Sequence, residues 1–300
     1  LHDMLIQRVT CFILTLLLVV STGRAADWPT YRGNSARTGY VKGAFPAKLV
    51  LRWKHRSSHR PMPAWPRSDR MPFDRAFHTV MANGQVYFGS SVDGSVNAID
   101  LKTGELRWLF YTEGPIRFAP VVWRDQVMAV SDDGHLYAFD AKTGKVRWRK
   151  RGGPDHRSII GNERLISKWP ARGGPAVVGN VVYFAAGIWP SDGIYLYALN
   201  AENGKEVWRN DDSGDIYMPQ PHGGANAKSG VSSQGYLVVS DKQLFVPTGR
   251  AVPAAFDRLT GKFKYFHLQK YGHKGGAPTM AIGKMFFNSG LSFDSKSGAH

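Results

Sequence analysis

The chain has 300 residues, 43% of them hydrophobic and 12% aromatic, enough to bury a large core and to exclude a disordered polymer. Its single cysteine, Cys11, excludes a disulfide framework. A formal net charge of +16 implies attraction to anionic partners, but the basic residues are dispersed along the chain rather than blocked as in a nucleic-acid arm.

The N-terminus reads as an export signal. Arg8 supplies a positive charge, Cys11 to Val20 is a ten-residue apolar stretch, and Gly23-Arg24-Ala25 places small residues at −3 and −1 of a cleavage site. A bilayer span needs about 20 apolar residues, so no membrane span is expected after cleavage. No cysteine follows the apolar stretch, so a lipoprotein anchor is not supported. Residues 1–25 are therefore assigned as a signal peptide, 26–47 as an extended N-terminal segment and 48–300 as the folded body. The expected location is periplasmic or secreted, which also argues against nucleic acid as a partner.

Leu49 to Trp53 has the pattern of a β-strand standing alone. The stretch from Arg52 to Arg75, with His55, Arg56, His59, Arg60, Arg67 and Arg70 among several prolines, reads as an exposed, irregular loop. His55 and His59 are four apart, but the nearby prolines oppose the helix that would pair them on a metal.

A repeating phrase follows. Ala98 to Trp108 reads Ala-Ile-Asp-Leu-Lys-Thr-Gly-Glu-Leu-Arg-Trp, and Ala138 to Trp148 repeats it as Ala-Phe-Asp-Ala-Lys-Thr-Gly-Lys-Val-Arg-Trp. Ala198 to Trp208 carries Asn200 and Asn203 in place of the Asp and Thr. Ala255 to Tyr265 keeps Asp257, Thr260 and Gly261 but ends in tyrosine, and a fifth copy starts at Asp294. Fixed internal spacing with variable gaps marks a repeat architecture.

Each phrase closes a larger unit of short β-branched and aromatic runs broken by Asp and Gly: Val86 to Ser90, Ser95 to Asp100 and Leu106 to Trp108 in the first, with Thr79 to Met81 ahead of them. One unit is thus four strands joined by tight turns. The Asp accepts bonds from the turn's own amides, and the Gly suits a positive φ. Trp108 and Trp148 are 40 residues apart, the size of a propeller blade, and longer intervals must carry inserted loops.

The phrase resembles the tryptophan-docking motif of the pyrroloquinoline quinone (PQQ) repeat propellers. That family includes PQQ-dependent alcohol dehydrogenases and the non-enzymatic propeller subunit of the outer-membrane β-barrel assembly machine. Asp27 to Gly33 and Trp189-Pro190 are also similar to large secreted planctomycete-type members. The resemblance implies an all-β propeller of four-stranded antiparallel blades, with Trp53, Trp108, Trp148, Trp208 and Tyr265 docking between neighbouring blades. About four blades and a partial fifth are expected, as part of a seven- or eight-bladed ring in preference to a closed five-bladed one.

No catalytic signature is present: no GxSxG, HExxH, P-loop, CxxC or dinucleotide fingerprint. Asp211-Asp212-Ser213-Gly214-Asp215 offers oxygen ligands suited to calcium, and turn chemistry accounts for it equally well. No catalytic residue and no metal ligand is assigned. The long insertions lie between the second and third repeats, at Gly187 to Gly193, and over residues 215–230. In a propeller these connections emerge on one face, so Arg157, Trp169, Arg172, Trp189, Tyr217, His222 and Lys228 are the candidate ligand-binding residues. Aromatic and cationic groups together suit an anionic or sugar-like ligand.

Two functions are weighed. One is a non-catalytic exported scaffold that binds an envelope protein or an anionic or sugar-like ligand. The other is a PQQ-dependent alcohol or sugar dehydrogenase, or the propeller part of a larger enzyme, with PQQ and calcium as cofactors. The adjacent cysteine pair of many family enzymes is absent here, and no acid aligns with their base.

Overall fold

A computed structural model describes residues 27–42, 48–220, 223–249, 251–268 and 275–300. The signal-peptide assignment, which ends at Ala25, lies outside them. The body is nearly all β-strand. The first blade is β1 (Val80–Ala82), β2 (Gln85–Gly89), β3 (Ser95–Asp100) and β4 (Leu106–Tyr111). The second is β5 (Val121–Trp123), β6 (Gln126–Val130), β7 (His135–Asp140) and β8 (Val146–Arg151). An inserted hairpin follows, β9 (Ser158–Gly161) and β10 (Arg164–Ser167).

The third blade is β11 (Gly173–Val178), β12 (Val181–Ala186), β13 (Tyr195–Asn200) and β14 (Glu206–Asn210). A second inserted hairpin is β15 (Ile216–Pro219) and β16 (Asn226–Ser229). The short β17 (Gly235–Tyr236) pairs in parallel with β11 before the chain enters the fourth blade, β18 (Val238–Val239), β19 (Gln243–Val246), β20 (Ala254–Asp257) and β21 (Phe263–Tyr265). The last described sheet has three strands, β22 (Thr279–Ile282), β23 (Met285–Asn288) and β24 (Leu291–Asp294).

Within each blade the strands run antiparallel in chain order, and the innermost strands β1, β5, β11, β18 and β22 pack against one another in sequence. No helix among the described residues is long and apolar enough to cross a membrane.

The repeated phrase does what its chemistry requires. Asp100, Asp140, Asp257 and Asp294 each accept two main-chain N–H bonds from the turn that follows, at 2.8 to 3.1 Å. Asn200 accepts one, from Glu202 at 2.9 Å. The turn's glycine then takes positive φ, +76° at Gly104 and +71° at Gly144.

That glycine has a second duty. A Cβ on Gly144 would stand 2.6 Å from Cδ2 of Trp108, and the same relation joins Gly104 to Trp53, Gly204 to Trp148, Gly261 to Trp208 and Gly298 to Tyr265. Each aromatic lies flat on the glycine of the next unit, so the small residue is the seat of the docked ring. Its polar atom reaches the main chain of the same turn. Trp53, Trp108 and Trp208 donate from Nε1 to the carbonyls of Leu101, Ala141 and Arg258 at 3.0, 2.9 and 3.1 Å, and the Tyr265 hydroxyl donates to Ser295 at 2.8 Å. Trp148 instead donates to Oε1 of Gln126 at 3.1 Å, while Nε2 of Gln126 reaches the carbonyl of Glu202, so the third repeat is tied through a bridging amide.

Two expectations for the N-terminal third need correction. Leu49 to Trp53 forms no strand: it is extended and exposed at Leu49, Val50 and Leu51, and only Trp53 is docked. The loop after it is exposed only in its first part. Residues 62–77 turn inward, and Ala64, Phe73 and Asp74 are buried. A reading by hydrophilicity fails there because the polar groups of this segment find partners in distant blades.

Residues 28–37 form a hub across the inner strands. Trp28 bridges to Met81, the Pro29 carbonyl accepts from Val122 at 2.7 Å, and the Ser35 and Ala36 carbonyls accept from Val239 and Ala281 at 2.9 Å. Arg37 is fully buried and donates to the Pro175 and Leu237 carbonyls at 2.7 and 3.0 Å, as well as to Thr30 and the Tyr31 carbonyl. Its neutral partners do not offset the loss of water, and burial pulls its pKa down to about 10. One short segment therefore holds all five blades by their inner strands.

Replacing Trp108 by Ala should cost about 3–5 kcal/mol, and Gly144→Ala should also destabilise, because the new methyl meets the indole in a backbone conformation unfavourable to any side chain. Chemical denaturation of the two variants checks this. A G144A protein as stable as wild type would remove the glycine from the docking role.

Candidate functional site

Strands β2 and β3, and the ends of successive blades, turn on one face of the molecule; the long insertions emerge there. At its centre is a buried charge network. Arg117 approaches β5, Asp132 lies in the turn between β6 and β7, Arg172 precedes β11, and Asp74 comes from the inward segment 62–77; all four are buried. Arg117 pairs through Nε with Asp132 Oδ2 at 2.5 Å and through Nη1 with Asp74 Oδ2 at 2.7 Å. Arg172 grips Asp132 with two bonds of 3.0 Å.

The two carboxylates differ in character. For Asp132, burial opposes ionisation, but Arg172 and Arg117 together overcome it and hold the carboxyl below its ordinary value. For Asp74, burial outweighs the attraction of Arg117 and raises the pKa. Oδ1 of Asp74 and Nη2 of Arg117 are buried with no hydrogen-bond partner, consistent with Asp74 being the weaker member.

This network anchors residues 62–77 as a strap over the centre of the face. Met62 receives a bond from Arg117 Nη1 and gives one to Ser91 Oγ in the first blade. The Ala64 carbonyl accepts from Asn162 at the tip of the β9–β10 hairpin at 2.7 Å. Trp65 donates to Gln234 at 3.0 Å, and the Arg70 carbonyl accepts from Ala277 at 2.7 Å, which carries the strap to the fourth and fifth blades. Phe73 stacks on Phe118 at 4.9 Å, and Phe118 meets Tyr236 edge-on at 5.0 Å.

The predicted site residues divide into two groups. Arg172 belongs to the central network and Trp169 is buried, its Nε1 donating to the Asp192 carbonyl at 2.6 Å. Both are committed to holding the face together. Arg157 is exposed, with its guanidinium 4.9 Å from the Trp169 ring and paired to Asp155. Trp189, 50% exposed, opens the short 3-10 turn Pro190–Asp192, against which β16 packs.

Tyr217, 71% exposed, stands directly opposite Lys228 in the β15–β16 hairpin, and Lys228 pairs with Asp215 at 2.8 Å. Trp189, Tyr217, Lys228 and Arg157 thus form the accessible part of the face, organised around the Pro190–Asp192 turn. His222 lies outside the described residues.

Three features were not read from the sequence. The buried partners of Arg117 lie 15 and 43 positions away, so their pairing leaves no local signal. The strap's bonds to distant blades are likewise non-local. The β9–β10 hairpin exposes Ile160 opposite Leu165, and its turn uses left-handed Asn162 and Glu163. Here a signal existed, since a two-residue turn carrying Asn between apolar pairs is a hairpin cue.

The oxygen-rich stretch 211–215 is dispersed among partners: Asp211 pairs with Arg209, Asp215 with Lys228, and Asp212 accepts from Asn210. Among the described residues no three His, Cys, Asp or Glu side chains stand close enough to hold a metal ion. Of the buried carboxylates near the centre, Asp132 is paired by Arg117 and Arg172, and Asp74, part of the strap itself, by Arg117.

Blades, docking aromatics and axial hub define a β-propeller built of PQQ-type repeats. The chain belongs to the family described as outer membrane protein assembly factor BamB, whose model matches residues 51–168 and 160–289. No curated protein matches it. Among solved structures, the quinohemoprotein alcohol dehydrogenase of Comamonas testosteroni is 19% identical, with a TM-score of 0.60 over 91% of this chain and 48% of the other. The quinohemoprotein alcohol dehydrogenase ADHIIG of Pseudomonas putida HK5 is 15% identical, with a TM-score of 0.59 over 91% and 47%. BamB of Moraxella catarrhalis is 17% identical, with a TM-score of 0.48 over 72% and 59%. The chain spans about half the length of these relatives, and the likeness to the dehydrogenases shows the propeller fold.

Removing the charge of Asp132 strands two buried arginines, so Asp132→Asn should cost about 3–5 kcal/mol, and Asp74→Asn much less. The sign with pH follows. The stabilisation from Asp132 is fully present above the unfolded carboxyl range, about pH 4, and is lost as pH falls through its lower folded value. Asp74 acts oppositely, favouring the fold as it protonates. Denaturation of both variants from about one pH unit below that range to about three above it, expressed as offsets from wild type, checks the order.

Proposed function

We propose that this chain is an exported, non-catalytic β-propeller that serves as a binding scaffold in the cell envelope. The observation that carries the reading is the strap. The chain's own residues 62–77 cross the centre of the insertion-bearing face, tied through Asp74 to Arg117, which together with Arg172 also pairs the buried Asp132. What remains accessible is the rim: Trp189, Tyr217, Lys228 and Arg157, with Ile160 and Leu165 on the neighbouring hairpin. Exposed aromatic, aliphatic and cationic groups on rigid hairpins suit an envelope protein or an anionic or sugar-like ligand by stacking and charge-assisted bonds.

Membership of the assembly-factor family supports a partner-binding role, and the signal-like residues 1–25 support export. Cleavage after Ala25 is the expected processing, and N-terminal sequencing of the protein recovered from the periplasm tests it.

The dehydrogenase reading draws on the propellers of the quinohemoprotein alcohol dehydrogenases, and its cofactors would be PQQ and calcium. One experiment separates the two. The scaffold reading expects the purified protein to bind an envelope component or an acidic polysaccharide and to show no dye-linked oxidation of alcohols or sugars with added quinone and calcium. The combined replacement of Trp189, Tyr217 and Lys228 by Ala should weaken binding by about tenfold or more while leaving Tm nearly unchanged. Sustained turnover would overturn the scaffold reading.

A further inference from the structure

The opposite face, where the first and third turns of each blade emerge, carries a cavity of about 290 Å³ between the third, fourth and fifth blades. Its walls are mostly small or apolar: Ser35 and Ala36 of the hub, Val178, Val239 and Ala281 of inner strands. Two charged residues line it, the exposed Asp241 and the half-buried Arg258, the residue after Asp257 in the fourth repeat. The corresponding positions elsewhere are Leu101, Ala141, Ala201 and Ser295, so the arginine is a departure from the repeat and is not needed by its turn.

The main chain of Arg258 is fully engaged. Its N–H donates to the Lys242 carbonyl at 3.0 Å, and its carbonyl accepts from Trp208 and from the Tyr183 hydroxyl. The group left to face the cavity is the guanidinium. Its Nε is buried with no hydrogen-bond partner, and among the described residues no carboxylate lies within ion-pairing distance of it. Its side-chain partner is the Tyr183 phenol, which accepts a bond from the guanidinium and stays uncharged because burial raises its pKa more than Arg258 lowers it. Asp241 stands exposed at the rim, beside Lys242. A half-buried cation without a counter-charge, held in a lined cavity, is a site for an anion, and the planar fork of arginine suits a tetrahedral oxyanion.

The rim identifies the source of that anion. Leu259 and Ile282, which adjoin Arg258 and Gly283, are 71% and 53% exposed, and the exposed Lys242, Lys262 and Lys284 surround them. Apolar side chains interleaved with lysines around an anion pocket match the boundary of an anionic bilayer, where the apolar groups enter the headgroup layer and the lysines meet its negative potential. We propose that this cavity binds the phosphate of a phospholipid headgroup, seating the turn face of the propeller on an anionic membrane surface. The proposal is independent of the partner-binding rim on the other face.

Co-sedimentation of the full chain with vesicles of phosphatidylcholine, with and without phosphatidylglycerol, tests it, alongside titration with inorganic phosphate followed by thermal shift. Wild type should bind the anionic vesicles, free phosphate should compete, and Arg258→Gln should weaken both interactions by about 10- to 100-fold. Leu259→Asn with Ile282→Asn should weaken vesicle binding and leave phosphate binding intact. Arg258→Lys keeps the charge and the main-chain bonds but not the fork, and should lie between wild type and R258Q. Thermal melts confirm that each variant is folded. Equal binding by wild type, R258Q and R258K would overturn the site, and phosphate binding without vesicle binding would overturn its assignment to lipid.

Discussion

The seating of an aromatic ring on the glycine of the next repeat is the contact on which the other features depend. It joins two requirements in one residue, because the glycine must adopt positive φ to close its own turn and must also lack a side chain so that the neighbouring ring can lie flat. A ring of this size buries roughly 150–250 Å². Because each ring belongs to one unit and each seat to the next, local turn chemistry and long-range packing cannot vary independently. Trp53 shows how dominant the contact is: it docks on Gly104 even though the residues before it pair with no strand.

With the blades held at their outer edges, the inner edges still need a tie, and the hub residues 28–37 supply it. Arg37 is unusual in being a buried cation satisfied by carbonyls and a hydroxyl, with no carboxylate among its partners. It spans the third and fourth blades from a segment that also meets the first, second and fifth. Above the hub, the strap and its network of Asp74, Arg117, Asp132 and Arg172 tie the insertion-bearing face. The molecule is therefore fastened at three levels, rim, hub and strap. Both the inserted hairpins on one face and the Arg258 cavity on the other sit on that framework.

Charge has different meanings in different places. Several of the 39 Lys and Arg residues are engaged by acids of the same repeat, as Arg107 is by Asp100 and Arg147 by Asp140 and Asp125. Such exposed pairs contribute little to stability. The chemically informative charges are those that break the pattern: the buried four-residue network, and Arg258, which replaces an uncharged residue of the repeat.

The strands, turns and docking rings were legible in the sequence because they are specified locally. An Asp two or three residues before the amides it caps, a Gly at the turn and an aromatic four places on carry their geometry wherever they occur. The insertions were legible as interruptions of that spacing, and Trp189, Tyr217 and Lys228 lie exposed on them. Tertiary structure alone decided that Arg172 and Trp169 face inward, that an arginine- and proline-rich loop becomes a strap, and that Arg258 is left without a counter-charge beside a cavity. Those outcomes depend on which groups meet across tens to hundreds of intervening residues, as when Arg37 reaches Leu237. Burial and pairing are properties of the assembled surface, and a side chain's own identity does not contain them.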